Sequence, residues 1–154
     1  MLEDKYDKKV RVHPMADMYE EIHVDTTISV VGYNKKLDKN LVVVDANYVT
    51  PYKIPAIFRG KNWAVIEIDK VVDEKADFPE RFLTSDKIGI NFVALGPSLI
   101  LMNKLQTKLI ETFNFYGVET VPMAHTYARH IGGGFHCMSN DLVREDPSGF
   151  GKIL

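Results

Sequence analysis

Along the chain, apolar residues gather into short runs separated by polar and turn-forming stretches. Residues 22–31 (IHVDTTISVV) are rich in β-branched side chains and predict a strand, and 41–44 (LVVV) predict a second. The intervening GYNKKLDKN supplies turn and solvated residues. Residues 45–60 read as a connection holding a short helix: Thr50 stands where a cap belongs, Pro51 suits the first turn, and Pro55 limits its regularity. WAVIEI at 63–68 is the next predicted strand, and the polar stretch 69–79 the next loop. Beyond it, 88–95 (IGINFVAL) and 98–102 (SLILM) read as a hairpin across Gly96-Pro97. Asn103 followed by Gln106 resembles a capping box. Leu105, Leu109, Ile110, Phe113 and Tyr116 then form a helical stripe, Gly117 marks its stop, and 118–121 predict a further strand.

The two halves share one order: two strands, a helix ending at a glycine (Gly60, then Gly117), and another strand. That order predicts an α/β structural repeat of two ββαβ modules, with a third unit beginning at Gly132 and stopping within it. Such an array leaves a strand edge or packing face uncovered, so self-association or a partner chain is expected.

Composition narrows the class. At 154 residues and 45% hydrophobic content the chain can form one ordinary core, which predicts a single domain over 1–154 behind a polar leader at 1–9. Nineteen basic against twenty-one acidic residues give a net charge of -2, and no basic stripe interleaved with aromatics is present, so nucleic acid is not an expected partner. The single cysteine excludes an intrachain disulfide and suits a reducing compartment. The opening residues lack the apolar run of a signal peptide, and their acidic residues are unlike a mitochondrial presequence. No stretch approaches the roughly twenty apolar residues of a membrane span, so a cytoplasmic protein with no membrane contact is expected.

Chemistry concentrates in two places. His23 and Asp25 are one residue apart in the predicted strand, where a period of two puts both side chains on one face. They read either as a polar pair on the wet side of an edge strand or as site residues. Cys137 follows Gly132, Gly133 and Gly134 in IGGGFHCMS. A lone cysteine is usually a small buried hydrophobe, and GGG can be a flexible turn. Three glycines also permit positive φ and close approach by a ligand. The GK[ST] ending of a phosphate loop is missing. His136 adjoins Cys137, and on extended backbone neighbours point oppositely, so it is a poor base for that thiol. His23 is the better one, since thiol and imidazole usually pair from distant positions. HxD followed much later by HC has no recognised metal spacing, so neither metal nor cofactor is expected.

Together, HVD (His23-Val24-Asp25) and GGGFHCMS (Gly132 to Ser139) resemble the guanidino-group-modifying pentein superfamily, above all its glycine and inosamine-phosphate amidinotransferases. IHVDTTISVVG fits the first family motif, and Thr84-Ser85 fits a serine-bearing segment between the two. The resemblance runs from about Val10 to the end. It implies ββαβ-like modules around a pseudo-fivefold axis, here a partial α/β propeller corresponding to the family's C-terminal part. It also implies that Cys137 attacks the carbon of a guanidino compound such as arginine, forming an amidino-cysteine that an amine acceptor resolves. His23 would shuttle the proton, Asp25 would bind the guanidinium or orient His23, and Ser85, Gly133 and Gly134 would contact substrate. If water replaced the amine, the protein would be a deiminase-type hydrolase.

Three departures matter. Family enzymes are far longer and carry further carboxylates in their N-terminal modules. Met138 stands where the amidinotransferases usually have tryptophan. GYNKKLDKNL lacks their arginine, leaving Lys35, Lys36 or Lys39 as point-charge substitutes. The chain therefore reads as one polypeptide of a split enzyme, or as a truncated binding or regulatory relative.

Overall fold

The computed structural model describes residues 23–69 and 88–142. In the first of these segments, β1 (Ile28–Asn34) pairs antiparallel with β2 (Lys39–Asp45), and β2 pairs parallel with β3 (Trp63–Ile68). The second repeats the plan: β4 (Val93–Gly96) lies antiparallel to β5 (Leu99–Asn103), which lies parallel to β6 (Glu119–Met123). Each parallel crossover carries helical structure, so the chain is a partial pentein-like α/β fold built from ββαβ-type modules.

β2 is the middle strand of its sheet and is buried from Asn40 to Asp45, which explains its unbroken apolar run: both faces are covered. One face packs Leu41 and Val43 with Val31, Ile66 and Ile68, and this cluster continues into Ile90, Phe92, Ile100, Met102, Leu109, Phe113 and Val118 of the second module. A single core thus joins the modules, and the Phe92 and Phe113 rings meet edge to face within it, centroids 5.3 Å apart. The other face packs Val42 and Val44 against Val49 and Ile54, with Phe58 and Trp63 alongside.

The helix α1 (Thr107–Phe115) buries Leu109 and Phe113 and ends in a Schellman motif. Gly117, at φ 72°, donates to Asn114 O (3.0 Å), and Val118 donates to Phe113 O (2.9 Å). The first module completes the cap: Asn34 Nδ2 donates to Tyr116 O at 2.8 Å and Lys36 Nζ to Phe115 O at 2.6 Å.

Several predicted bounds shift for local reasons. The strand expected over 22–31 begins only at Ile28, because Thr26 and Thr27 hydroxyls bond His23 O (2.6 Å) and Val24 O (3.1 Å) and help wind Val24–Thr26 into a 3-10 turn. The helix expected within 45–60 is two 3-10 pieces, Pro51–Lys53 and Ala56–Arg59, parted where Pro55 has no N–H to give. Gly60 closes the second piece with φ -68°, so its likeness to Gly117 is one of place, not conformation.

The first hairpin strand expected over 88–95 is confined to Val93–Gly96. Ile88, Ile90 and Phe92 are buried as parts of a tight turn, with Asn91 N–H bonded to Ile88 O. The capping box also moves: Asn103 Oδ1 accepts from Leu105 N at 3.0 Å, and α1 starts after Gln106. After β6, α2 (Ala128–Ile131) ends at Gly132 in the left-handed region, and no further strand follows among the described residues. The leader at 1–9 and the loop expected over 69–79, save Asp69, lie outside the described residues.

Candidate active site

The 3-10 turn ahead of β1 carries Asp25, and the turns after α2 carry His136 and Cys137. Their side chains converge on one atom. His136 Nδ1 lies 2.7 Å from Asp25 Oδ2, and the Cys137 thiol donates to the same oxygen at 3.3 Å. The extended-backbone argument against His136 is therefore overturned: residues 135–138 form a turn, which aims adjacent side chains at a common partner.

The glycines make this turn possible by their lack of Cβ. A Cβ on Gly133 would lie 2.5 Å from Cys137 Cβ, and one on Gly134 would lie 2.6 Å from Asn91 O. Both glycines are buried. The close approach anticipated for a ligand is made at these positions by the protein's own Cys137 and Asn91. Only Gly132 of the three uses positive φ.

Asn91, only 3% exposed, connects the two turns. Its Oδ1 accepts from Cys137 N–H (3.1 Å), its Nδ2 donates to Asp25 O (3.3 Å), and its backbone carbonyl accepts from His136 N–H (3.3 Å). Ser29 Oγ braces the same region, 2.7 Å from Ile90 O and 3.0 Å from Asp25 O. Sequence reasoning missed Asn91. Its signal was a polar residue inside the apolar run IGINFVAL, a position that must be satisfied once buried.

Burial pushes the Asp25 carboxyl up, but hydrogen bonds from the Cys137 thiol, His136 and Asn91, in that order, outweigh it and hold the group below the usual carboxylate range. For Cys137, burial of the sulfur side, then the hydrogen bond to Asp25 and its charge, push the thiol up, and donors from Asn91 and the Gly134 backbone offset this only in part. Cys137 is nonetheless exposed as a residue, so a solute can reach it. In this state the cysteine is held as a thiol, and a cation placed on Asp25 would remove the charge that keeps it so. Nearby, His125 Nε2 lies 2.7 Å from Met138 Sδ, and its ring packs on Phe135.

His23 is not part of this cluster. It occupies the exposed position before the 3-10 turn, and its side chain bonds neither Asp25 nor Cys137. The shared strand face expected for His23 and Asp25 does not exist, because the strand starts after them. Ser85 lies outside the described residues. No group of three or more His, Cys, Asp or Glu among the described residues is placed to hold a metal ion. No helix among them is long and apolar enough to cross a membrane.

No family model matches the sequence. Individual proteins do. Inosamine-phosphate amidinotransferase 1 of Streptomyces glaucescens is 31% identical over 140 residues, covering 87% of this chain and 36% of the relative. Mitochondrial glycine amidinotransferase of Gallus gallus is 25% identical over 125 residues, covering 80% of this chain and 27% of that protein. The solved structure of inosamine-phosphate amidinotransferase from Streptomyces griseus superposes with a TM-score of 0.77 at 29% identity, covering 94% of this chain and 39% of that one. This chain thus spans little more than a third of the length of the Streptomyces proteins it matches. It is related to the amidinotransferases of the pentein superfamily as a partial counterpart.

Proposed function

We propose that the chain carries the cysteine-bearing part of an amidinotransferase-type active site, working on arginine or a related guanidino compound as the C-terminal portion of the assembly. The observation that carries this reading is the convergence of an exposed thiol and an imidazole on one carboxylate oxygen, at 3.3 and 2.7 Å, in a relative of the amidinotransferases.

A guanidinium is a resonance-stabilised cation, so its carbon yields only to a thiolate, with protonation of the departing nitrogen. Asp25 offers a charge-assisted acceptor to the planar N–H groups. As the cation settles there the thiol loses the charge that held its proton. Sulfur then bonds to the guanidinium carbon, the bond from that carbon to the substrate's amine nitrogen breaks, and the thiol's proton ends on the released amine. The product on the protein is an amidino-thioether cation. An incoming amine attacks the same carbon, a new guanidinium leaves, and the thiol is restored.

His23, exposed beside the Asp25 turn, is proposed as the proton shuttle and Ser85 as a substrate contact, while Gly133 and Gly134, buried against Cys137 and Asn91, are proposed to serve the substrate only through the turn they allow. The 2.7 Å contact of His136 with Asp25 favours a second assignment, in which His136 carries that proton. The acceptor is taken as an amine because the matched relatives are amidinotransferases. Water in its place would make the protein a hydrolase. The remaining carboxylates and modules are proposed to come from additional polypeptide beyond these 154 residues.

The test is intact mass after incubation with arginine, followed by peptide mapping. An amidino group on Cys137, absent from C137A, is the expected result. A folded protein that binds arginine with Cys137 unmodified would support the binding or regulatory alternative instead. H23N and H136N then separate the two shuttles: the true one is expected to lose about a hundredfold or more in adduct formation while still binding arginine.

A further inference from the structure

Asn91 is the largest unexplained investment around the thiol. It is an uncharged polar side chain, nearly fully buried, and all of its observed bonds in this region run to the two turns that hold Asp25 and Cys137. These turns lie far apart in sequence, on either side of both modules, and among the described residues the side-chain hydrogen bonds between Asp25 and the Cys137 turn meet at Asp25 Oδ2. The thiol is a weak donor, and the 2.7 Å contact of His136 ties an exposed imidazole to Asp25 without fixing the Cys137 backbone, so these contacts alone leave the nucleophile's position to the backbone around it.

The amide of Asn91 acts on both turns at once. Its oxygen fixes the backbone N–H of the nucleophile, and its nitrogen fixes the carbonyl of the acid's own residue. The glycines fit this arrangement. Gly134 lies so close to Asn91 that a Cβ would sit 2.6 Å from the Asn91 carbonyl oxygen and 2.9 Å from its Oδ1. Gly134 and the buried asparagine are therefore two halves of one device: the asparagine takes the space that a side chain at Gly134 would have filled.

We infer that Asn91 is the positioning residue of this site, coupling the Asp25 turn to the Cys137 turn so that the carboxylate and the thiol address the same substrate atom group. The inference rests on the proposed function for its purpose, though its test does not use that reaction. Aspartate cannot replace the asparagine, since it accepts but does not donate, and serine is too short to span both partners.

The experiment measures how strongly Asp25 controls the Cys137 thiol, from the pH dependence of iodoacetamide alkylation of the full chain. The D25N substitution is made in the wild-type background and in N91A. With Asn91 present, D25N is expected to lower the alkylation midpoint by about one pH unit or more, because it removes the neighbouring charge. With N91A, the same substitution is expected to shift it by less than half as much. Equal shifts in the two backgrounds would overturn the inference, since Asp25 and Cys137 would then be held together without Asn91. Circular dichroism confirms that each variant is folded, and N91S carries the comparison if N91A is not. Absence of an amidino adduct in the wild-type protein would overturn the proposed reaction and leave this coupling result standing.

Discussion

At Asp25 Oδ2 the site makes one atom serve two partners, and the electrostatics follow from that economy. Burial and then the Asp25 carboxylate hold the thiol protonated, and a bound cation can lift the second of these, so reactivity should rise when a cation takes its place on Asp25. Alkylation of Cys137 is therefore expected to show a midpoint above that of an ordinary thiol, falling by about one unit or more when arginine saturates the site. An arginine-independent midpoint would dissociate Asp25 from substrate binding. A second carboxylate gives the opposite sign. Burial pushes Asp45 up, with bonds from Asn47 opposing, whereas the bonds to Asp25 hold it down. A depressed carboxyl contributes stability above its unfolded pKa and loses it as pH falls through the folded one. A raised carboxyl contributes only below its unfolded pKa and loses that as pH rises through the folded one. Thermal melts should thus show D45N gaining on wild type as pH rises from acid to neutral, while D25N loses ground over the same range. Parallel curves for the two variants would refute the assignment.

Among the elements, legibility tracked how far each one's conformation is set by its own residues. WAVIEI was read to its full extent because a run of apolar and β-branched residues has one stable outcome beside a buried neighbour, and the observed β3 is Trp63–Ile68. The Asp25 turn was not legible, since Thr26 and Thr27 favour strands by propensity and here use their hydroxyls to close a 3-10 turn. For the site, the sequence picked out Asp25, Cys137 and the glycines, and it discounted His136 on a strand geometry that the turn at 135–138 does not have. Two glycines predict distinguishable failures. Gly117→Ala meets no crowding, its Cβ 3.7 Å from Lys36 Cδ, so it should cost only the left-handed backbone strain, about 1–2 kcal/mol by chemical denaturation, with thiol reactivity unchanged. Gly134→Ala strikes backbone at 2.6 Å, so it should cost about 1–3 kcal/mol and also disturb Cys137 alkylation. A reversed pattern would mean that the GGG segment is a flexible turn rather than a packed one.

At the scale of the whole molecule, the repeat was legible as an order of elements, but the way its two modules share a core was not, because contacts between distant segments leave no local pattern. The cluster that includes Val31, Leu41 and Ile66 from the first sheet also includes Phe113 and Leu109 of α1, and the Asn34 and Lys36 bonds cap that helix from the other module. The first module keeps a second cluster of its own around Val42, Val44 and Val49, but the larger core is shared with the second module, which makes separate melting physically unattractive. The chain's one tryptophan, Trp63, sits in the first module, beside the second apolar cluster rather than the shared one. It reports on the first module without touching Phe113's cluster. Phe113→Ala removes a fully buried ring and should cost about 3–5 kcal/mol. If the shared core makes the two modules one cooperative unit, the transition followed by Trp63 fluorescence should move to lower denaturant by as much as the one followed by circular dichroism. A Trp63 transition that stays in place while the circular dichroism transition moves would show that the modules fold independently. In that case the site, whose Asp25 comes from one side of the repeat and whose Cys137 comes from the other, would be assembled by docking rather than by folding.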